Sequence, residues 1–343
     1  MTEVAVAGLD LAKNVFQVHG VDGTGGVVVR RQVRRSQVVP FFESLPPCLI
    51  GMEACASAHH WARTLTAMGH EVRLMPPAYV KPYVKRGKTD AADAEAIVEA
   101  VTRPTMRFVA VKTEAQQAVL MLHKTRDLLV RQRTMTINAL RGHLGEFGIV
   151  APQGAAGVKA VIESLPDHHD RLPPLALEAL AALAGQVNAL DQRIADLERE
   201  ILVWHRSDET SRRLATIPGV GPITASAMAA SVPDPSLFRS GRQFAAWLGL
   251  TPKAHSSGGK ERQAGISKMG DGYLRRLLVI GATAVLRMAR QRGQAGAWLN
   301  GLLARKTPKA AAVALANKMA RIAWALMSRR EEYMAARPQS LAG

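Results

Sequence analysis

Four carboxylates in this 343-residue chain stand where they could do chemistry together. Asp10 closes the apolar run of Val4, Val6 and Leu9, and Glu53 follows Leu49–Met52, so each marks the end of an expected buried strand. Asp90 and Asp93 lie three residues apart in Lys-Thr-Asp-Ala-Ala-Asp-Ala-Glu, a spacing that puts both on one face of a helix. Convergent carboxylates offer the hard oxygen ligands that suit Mg²⁺, which keeps several waters and so needs few protein ligands. One or two such ions can activate an attacking oxygen and steady the leaving one in phosphoryl transfer. Each acid also has a plain alternative. Asp90 suits the positive end of a helix dipole, and Asp10 and Glu53 could be ordinary surface carboxylates. The set and its order along the chain favour a metal site.

A second chemical signal is Ser256-Ser257-Gly258-Gly259, with Lys253, Lys260, Arg262, Lys268, Arg275 and Arg276 nearby. A serine on a glycine loop ringed by cations could attack a phosphodiester, the cations stabilising the charge that develops on phosphorus. The alternative is a loop that only binds backbone phosphates. His255 is the one adjacent group that could serve as a base, so residue chemistry alone favours the alternative. Upstream, Ile217-Pro-Gly-Val-Gly-Pro-Ile-Thr-Ala reads as a helix-hairpin-helix. Its Gly219 and Gly221 would let backbone amides approach phosphate, or would simply form a tight turn.

The elements that must carry these groups follow from periodicity. Three strands are expected in a meander, ending near Asp10 and spanning Val15–Val21 and Val27–Val33. Ser36 is expected to cap a short helix. A strand at Leu49–Met52, a helix over 57–68, a strand at Glu71–Met75 and a helix from Thr89 to about Val101 complete a mixed α/β layer. Residues 113–147 read as a long helix, 151–174 as a connection and Leu175–Leu214 as a second long helix. In that helix Val187, Leu190, Ile194, Leu197, Ile201 and Trp204 recur at alternating steps of three and four, a short coiled-coil seam. The seam fits packing within the chain and oligomerisation equally well. The expected domains are 1–111, 112–212 and 213–343.

The charge is one-sided. Of a formal net charge of +17, the window 239–330 holds 18 lysines and arginines against two acids, Glu261 and Asp271. The rest of the chain is nearly neutral. Such a block suits a polyanion, because each phosphate contact releases condensed counterions. Anionic lipid is the poorer fit, since the cations are spread over glycines, turns and short helices rather than along one amphipathic helix. No signal peptide is expected, nor any membrane span, because no run of 18 or more apolar residues is free of charge. Cys48 and Cys55 lack metal-ligand spacing and read as buried thiols of a cytoplasmic protein.

Taken together, the segments GLDLAK, GMEACASAHHWAR, KTDAADAEAI, IPGVGPITA, FRSGRQFAAWLGLTPKAHSSGGK and GISKMGDGYLRRLL resemble the insertion-sequence transposases with an N-terminal RuvC-like DEDD domain and a C-terminal transposase domain bearing a catalytic serine. The likeness spans nearly the whole chain and is weakest over about 150–185. It implies a ribonuclease-H-like first domain, a long helical or coiled-coil middle and a mostly α last domain. It also implies Mg²⁺ at Asp10, Glu53, Asp90 and Asp93, and a nucleophilic serine followed by glycine, which points to Ser257 although Ser256 adjoins it. The family's members are bridge-RNA-guided recombinases. The implied partners are donor and target DNA, a structured noncoding RNA and further copies of the chain in a tetramer. Two competing readings are a metal-dependent nuclease or junction resolvase without a covalent intermediate, and a non-catalytic nucleic-acid-binding protein.

Overall fold

The computed structural model describes residues 3–85, 89–150, 152, 154–168, 170–257, 260–292 and 296–334, and only the backbone course at 155, 168 and 254–264. Its contacts divide the chain into two compact units: residues 1–116 with 232–239, and residues 117–231 with 240–343.

The first unit is built on a five-stranded sheet. Strands β1 (Val6–Asp10), β2 (Val15–Val21) and β3 (Val27–Arg34) form the expected antiparallel meander, and β4 (Leu49–Glu53) and β5 (Glu71–Met75) extend it in parallel beyond β1, in the order β3-β2-β1-β4-β5. The helices are α1 (Val38–Glu43), α2 (Ala58–Ala67), α3 (Pro77–Val80) and α4 (Asp90–Val101). Alternation along β1 and β4 sorts side chains between two layers. Ala7, Leu9, Ile50 and Met52 join Phe16, Phe42, Trp61 and Leu65 in one core. Val6 and Leu49 pack on the other side, against the core of Met75, Ile97, Ala100 and Val101. Ser36 does not cap α1: it lies in a 3₁₀ turn, and Gln37 precedes the helix without a side-chain bond. Cys48 is buried, and burial pushes its thiol up to about 11, whereas Cys55 is exposed rather than buried as expected.

In the second unit α5 (Glu114–Glu146) and α7 (Pro174–Ser207) are the long helices, α5 beginning at its last few first-unit residues. The stretch taken as a connection contains α6 (Gly154–Ser164). Its Val161, with Leu165 beyond it, completes a core with Leu140, Leu144, Leu180 and Ala184, and that burial outweighs the flanking glycines and prolines. The second long helix is also interrupted. Asp208 leaves the helical region and caps α8 (Glu209–Leu214) by accepting from Ser211 N at 2.7 Å. Val187, Leu190, Ile194 and Ile201 of the heptad seam are buried within this single chain. That burial supports packing within the chain, one of the two readings the spacing allowed.

α8 and α9 (Pro222–Ser231) flank the Gly219–Gly221 turn. α10 (Gly241–Trp247), α11 (Gly272–Arg292), α12 (Ala297–Arg305) and α13 (Pro308–Arg329) follow, with a hairpin of β6 (Pro252–Ser257) and β7 (Lys260–Ile266) between α10 and α11. By length and composition alone α13 could cross a membrane, which was not expected from its sequence. Its Ala311, Ala312, Ala316, Met319, Ala320, Ala323 and Leu326 are buried, and the helix packs on α10 and α11.

Candidate functional site

Asp10 and Glu53 are the last residues of parallel neighbours β1 and β4. Two residues before each stands a glycine, Gly8 and Gly51, on the same face of the sheet. Helix α4 covers that face. A Cβ at Gly8 would collide with the Ala94 carbonyl oxygen, and one at Gly51 would come within 2.9 Å of Val101 Cβ. The missing side chains therefore let the helix lie directly on the strands, with its first turn beside the strand ends. Carboxylate oxygens of Asp10, Asp90 and Asp93 all fall within 4.8 Å of one another. Glu53 occupies the adjacent strand end and is not within that trio's radius. Its charge and that of Asp10 both add to desolvation in raising the Cys55 thiol pKa, which places the two acids around one exposed cysteine.

Local chemistry starts α4 at the right residue. Thr89 caps it, its side chain accepting from Ala92 N, so capping is not the work of Asp90. The other acids of the helix are committed elsewhere. Glu95 pairs with Lys85 and Arg30, and the Lys85 hydrogen bond first of all lowers its pKa; Glu99 pairs with Arg103. Among the described residues no lysine or arginine forms a salt bridge with Asp90 or Asp93. Hard oxygen donors converging from Asp10, Asp90 and Asp93 fit a divalent metal ion.

The second chemical segment is ordered differently from expectation. Ser256 and Ser257 end β6, Ser257 opposite Lys260, so the backbone forms a hairpin rather than an irregular loop. The side chains of Ser256, Ser257, Lys260 and Arg262 lie outside those described, as do Gly258 and Gly259. Lys253 and Lys268 are exposed, Lys268 with a positive φ of 55°. Arg275 donates to the carbonyls of Leu248 and Met269, and Arg276 pairs with Asp127 and covers the Tyr273 ring. Gly219, at φ +86°, presses on α11, where an added Cβ would meet Val285 Cγ2 at 2.8 Å; Gly221 has open space around it.

One polar cluster escaped sequence reasoning because its members are up to 150 residues apart. His123 of α5, 1 % exposed, lies 3.1 Å from both Tyr273 Oη and Ser226 Oγ. Ser226 donates to Pro222 O, so its oxygen accepts from His123 Nε2–H, while Nδ1 accepts from Tyr273. Burial pushes the imidazole pKa down to about 4 and raises that of Tyr273.

Residues 7–149 match a family model described as "Transposase", the DEDD transposase of IS110 type, which implies a ribonuclease-H-like fold in accord with the sheet order. Residues 211–296 match the model "Transposase IS116/IS110/IS902 family". The chain is 51 % identical over 335 residues to a putative transposase of Sinorhizobium fredii, covering 97 % of this chain and 86 % of the relative. It is 54 % identical over 329 residues to a probable family 20 transposase of Pseudomonas aeruginosa, covering 95 % and 97 %. It is 43 % identical over 338 residues to the transposase for insertion sequence element IS1111A of Coxiella burnetii, covering 97 % and 92 %.

Proposed function

Since this chain belongs to the IS116/IS110/IS902 family of transposases, we propose that it recombines DNA through a covalent phosphoserine at Ser257, directed by a structured bridge RNA. The observation that carries the phosphoryl-transfer part is the approach of the Asp10, Asp90 and Asp93 carboxylates to within 4.8 Å. Together with Glu53 they would hold Mg²⁺, which when bound neutralises charge on the scissile phosphate and lowers the pKa of the attacking hydroxyl. Asp10 and Glu53 are fixed on rigid strand ends, and the Thr89 cap with the Gly8 and Gly51 contacts fixes Asp90 and Asp93 against them.

In the first step Ser257 Oγ attacks phosphorus and loses its proton. The Oγ–P bond forms, the P–O3′ bond breaks and the freed 3′-oxygen takes up a proton. In the second step the 3′-hydroxyl of the exchanged strand attacks the phosphoserine, the P–Oγ bond breaks and the serine regains its proton. Bond energy is conserved across the two transfers, so no high-energy cofactor is consumed. The cations of the 239–330 block would hold nucleic acid by its backbone, leaving sequence choice to base pairing.

Assembly into a tetramer has a candidate surface. Met121, Leu128 and Met135 recur every seven residues on α5 and are 67 %, 46 % and 71 % exposed. The deciding experiment incubates the protein with its copurified RNA, Mg²⁺ and end-labelled DNA, then digests and maps any protein–DNA adduct. An adduct at Ser257, absent from Ser257→Ala, is the expected result. Strand cleavage that persists in Ser257→Ala would leave a metal-dependent nuclease instead.

A further inference from the structure

A groove of about 1410 Å³ runs along α13 within the second unit. Its walls carry Arg242, Lys306, Lys309, Lys318 and Arg321, and among the described lining residues there is no carboxylate. Two indoles, Trp298 of α12 and Trp324 of α13, share the same walls. Helical spacing explains the stripe: Ala310, Val313, Asn317, Arg321 and Trp324 follow at steps of three or four, on the side away from the buried alanines and methionines. Lys318 Nζ stands 4.0 Å from the centroid of the Trp298 ring. That contact steadies the indole from one face, yet the residue is still 45 % exposed.

The groove exceeds the roughly 300–1,000 Å³ of small-molecule pockets, which points to a polymer segment. Among the described lining residues every charge is positive, so the polymer is an anion. The exposed Trp298 indole in such a channel offers a face on which an unpaired base stacks, whereas a duplex hides its base faces within its own stack. An anionic membrane would need apolar groups on a projecting surface, not set into a concavity.

Resting on the DNA-recombinase reading above, we infer that this groove holds single-stranded DNA, a base stacked on Trp298 and its phosphates on the surrounding cations. Strand exchange separates a strand from its complement, and the groove keeps that strand from re-pairing.

The test measures binding of the full-length protein to one labelled oligonucleotide sequence presented as single-stranded DNA, as duplex DNA and as single-stranded RNA. Trp298→Ala should weaken the single-stranded DNA complex about tenfold, Trp298→Phe should restore most of it, and duplex affinity should move less than about twofold. Arg321→Gln keeps both indoles and should lower the salt dependence for single strands by about 0.7 in log–log slope. Unchanged single-strand affinity in Trp298→Ala, an equal loss for duplex, or a loss confined to RNA would each overturn the inference. If the indole effect is found while no strand transfer can be detected, the recombinase reading falls and the groove stands. If strand transfer proceeds and Trp298→Ala binds single strands normally, the groove alone is wrong.

Discussion

The two units treat like charges in opposite ways. In the first, acids with structural duties have cations beside them: Glu95 with Lys85 and Arg30, Glu99 with Arg103. Asp90 and Asp93, for which no salt bridge is found among the described residues, converge with Asp10. In the second unit, cations with structural duties have acids beside them, Arg126 with Glu198 and Arg133 with Asp191. Over 240–330 that unit holds 17 cations against two acids, and one of those, Asp271, is occupied in capping α11. Paired charges hold helices to helices. Charges massed with one sign oppose folding by self-repulsion, and a ligand of the opposite sign relieves it. The first unit thus calls for a cation and the second for a polyanion.

The sharpest way to break this contrast is Asp10→Asn. Strand cleavage should fall roughly 10³-fold or more, because a ligand is lost to the cation that would offset charge on the reacting phosphate. The same variant should show no rise in melting temperature on adding Mg²⁺, while the native chain does, since a ligand bound only to the folded state stabilises it. A native chain whose melting point ignores Mg²⁺, Mn²⁺ and Ca²⁺ alike would remove the metal site.

Next in size is Gly8→Ala. The new methyl group would meet the Ala94 carbonyl, so α4 must move off the sheet at a cost of about 3 kcal/mol. Activity should fall with stability, because Asp90 and Asp93 ride on that helix. Gly51→Ala, whose nearest contact is a side-chain carbon at 2.9 Å, should cost less, about 1–2 kcal/mol in denaturant titration. A Gly8→Ala chain with native stability and native cleavage would show that the close approach of α4 does not position the acids.

The same pair of glycines marks where sequence could be read and where it could not. Strand alternation foretold the sheet, and the strand-end Asp10 with the same-face Asp90–Asp93 pair foretold a trio that converges, while Glu53 stands apart from it, since period-two burial and a same-face Asp pair are local patterns. That Gly8 and Gly51 precede Asp10 and Glu53 at the same spacing was available too, but its meaning needs the helix that lies over them. Helix α6 was hidden because glycines and prolines at its edges outweigh its short apolar stripe until α5 and α7 supply the other half of the core. The heptad seam was ambiguous for a related reason: a period of 3.5 says that a face is buried, not by whose side chains. The His123–Tyr273–Ser226 cluster and the groove join residues from distant helices, and no local spacing announces them.

His123 extends the comparison to acid. The folded chain holds this imidazole neutral down to about pH 4, whereas an unfolded chain binds the proton near 6.5. The folded state is therefore short of a proton between those values. Stability is full above about pH 6.5, declines as pH falls through that window and levels off below about 4, for a total loss of about 3 kcal/mol. Urea midpoints at pH 7 and pH 4.5 should separate further in the native chain than in His123→Gln, by about 2–3 kcal/mol after conversion. Equal separations would mean that another group carries the acid sensitivity of the second unit.

The smallest effect tests the distinction between paired and massed cations directly. Arg133 already has Asp191 at 2.6 Å, so a phosphate would have to compete with that carboxylate. Lys309 lies in a groove where no described lining residue is acidic. Counterion release follows only from cations that trade solution ions for phosphate. Lys309→Ala should therefore lower the slope of log K against log[salt] for single-stranded DNA by about 0.7, with affinity falling a few-fold near physiological salt. Arg133→Ala should leave that slope unchanged and cost under about 1 kcal/mol of stability, as a partly exposed pair does. If Arg133→Ala lowers the slope as much as Lys309→Ala, the pairing seen between α5 and α7 opens when nucleic acid binds. The distinction would then belong to the unliganded protein alone.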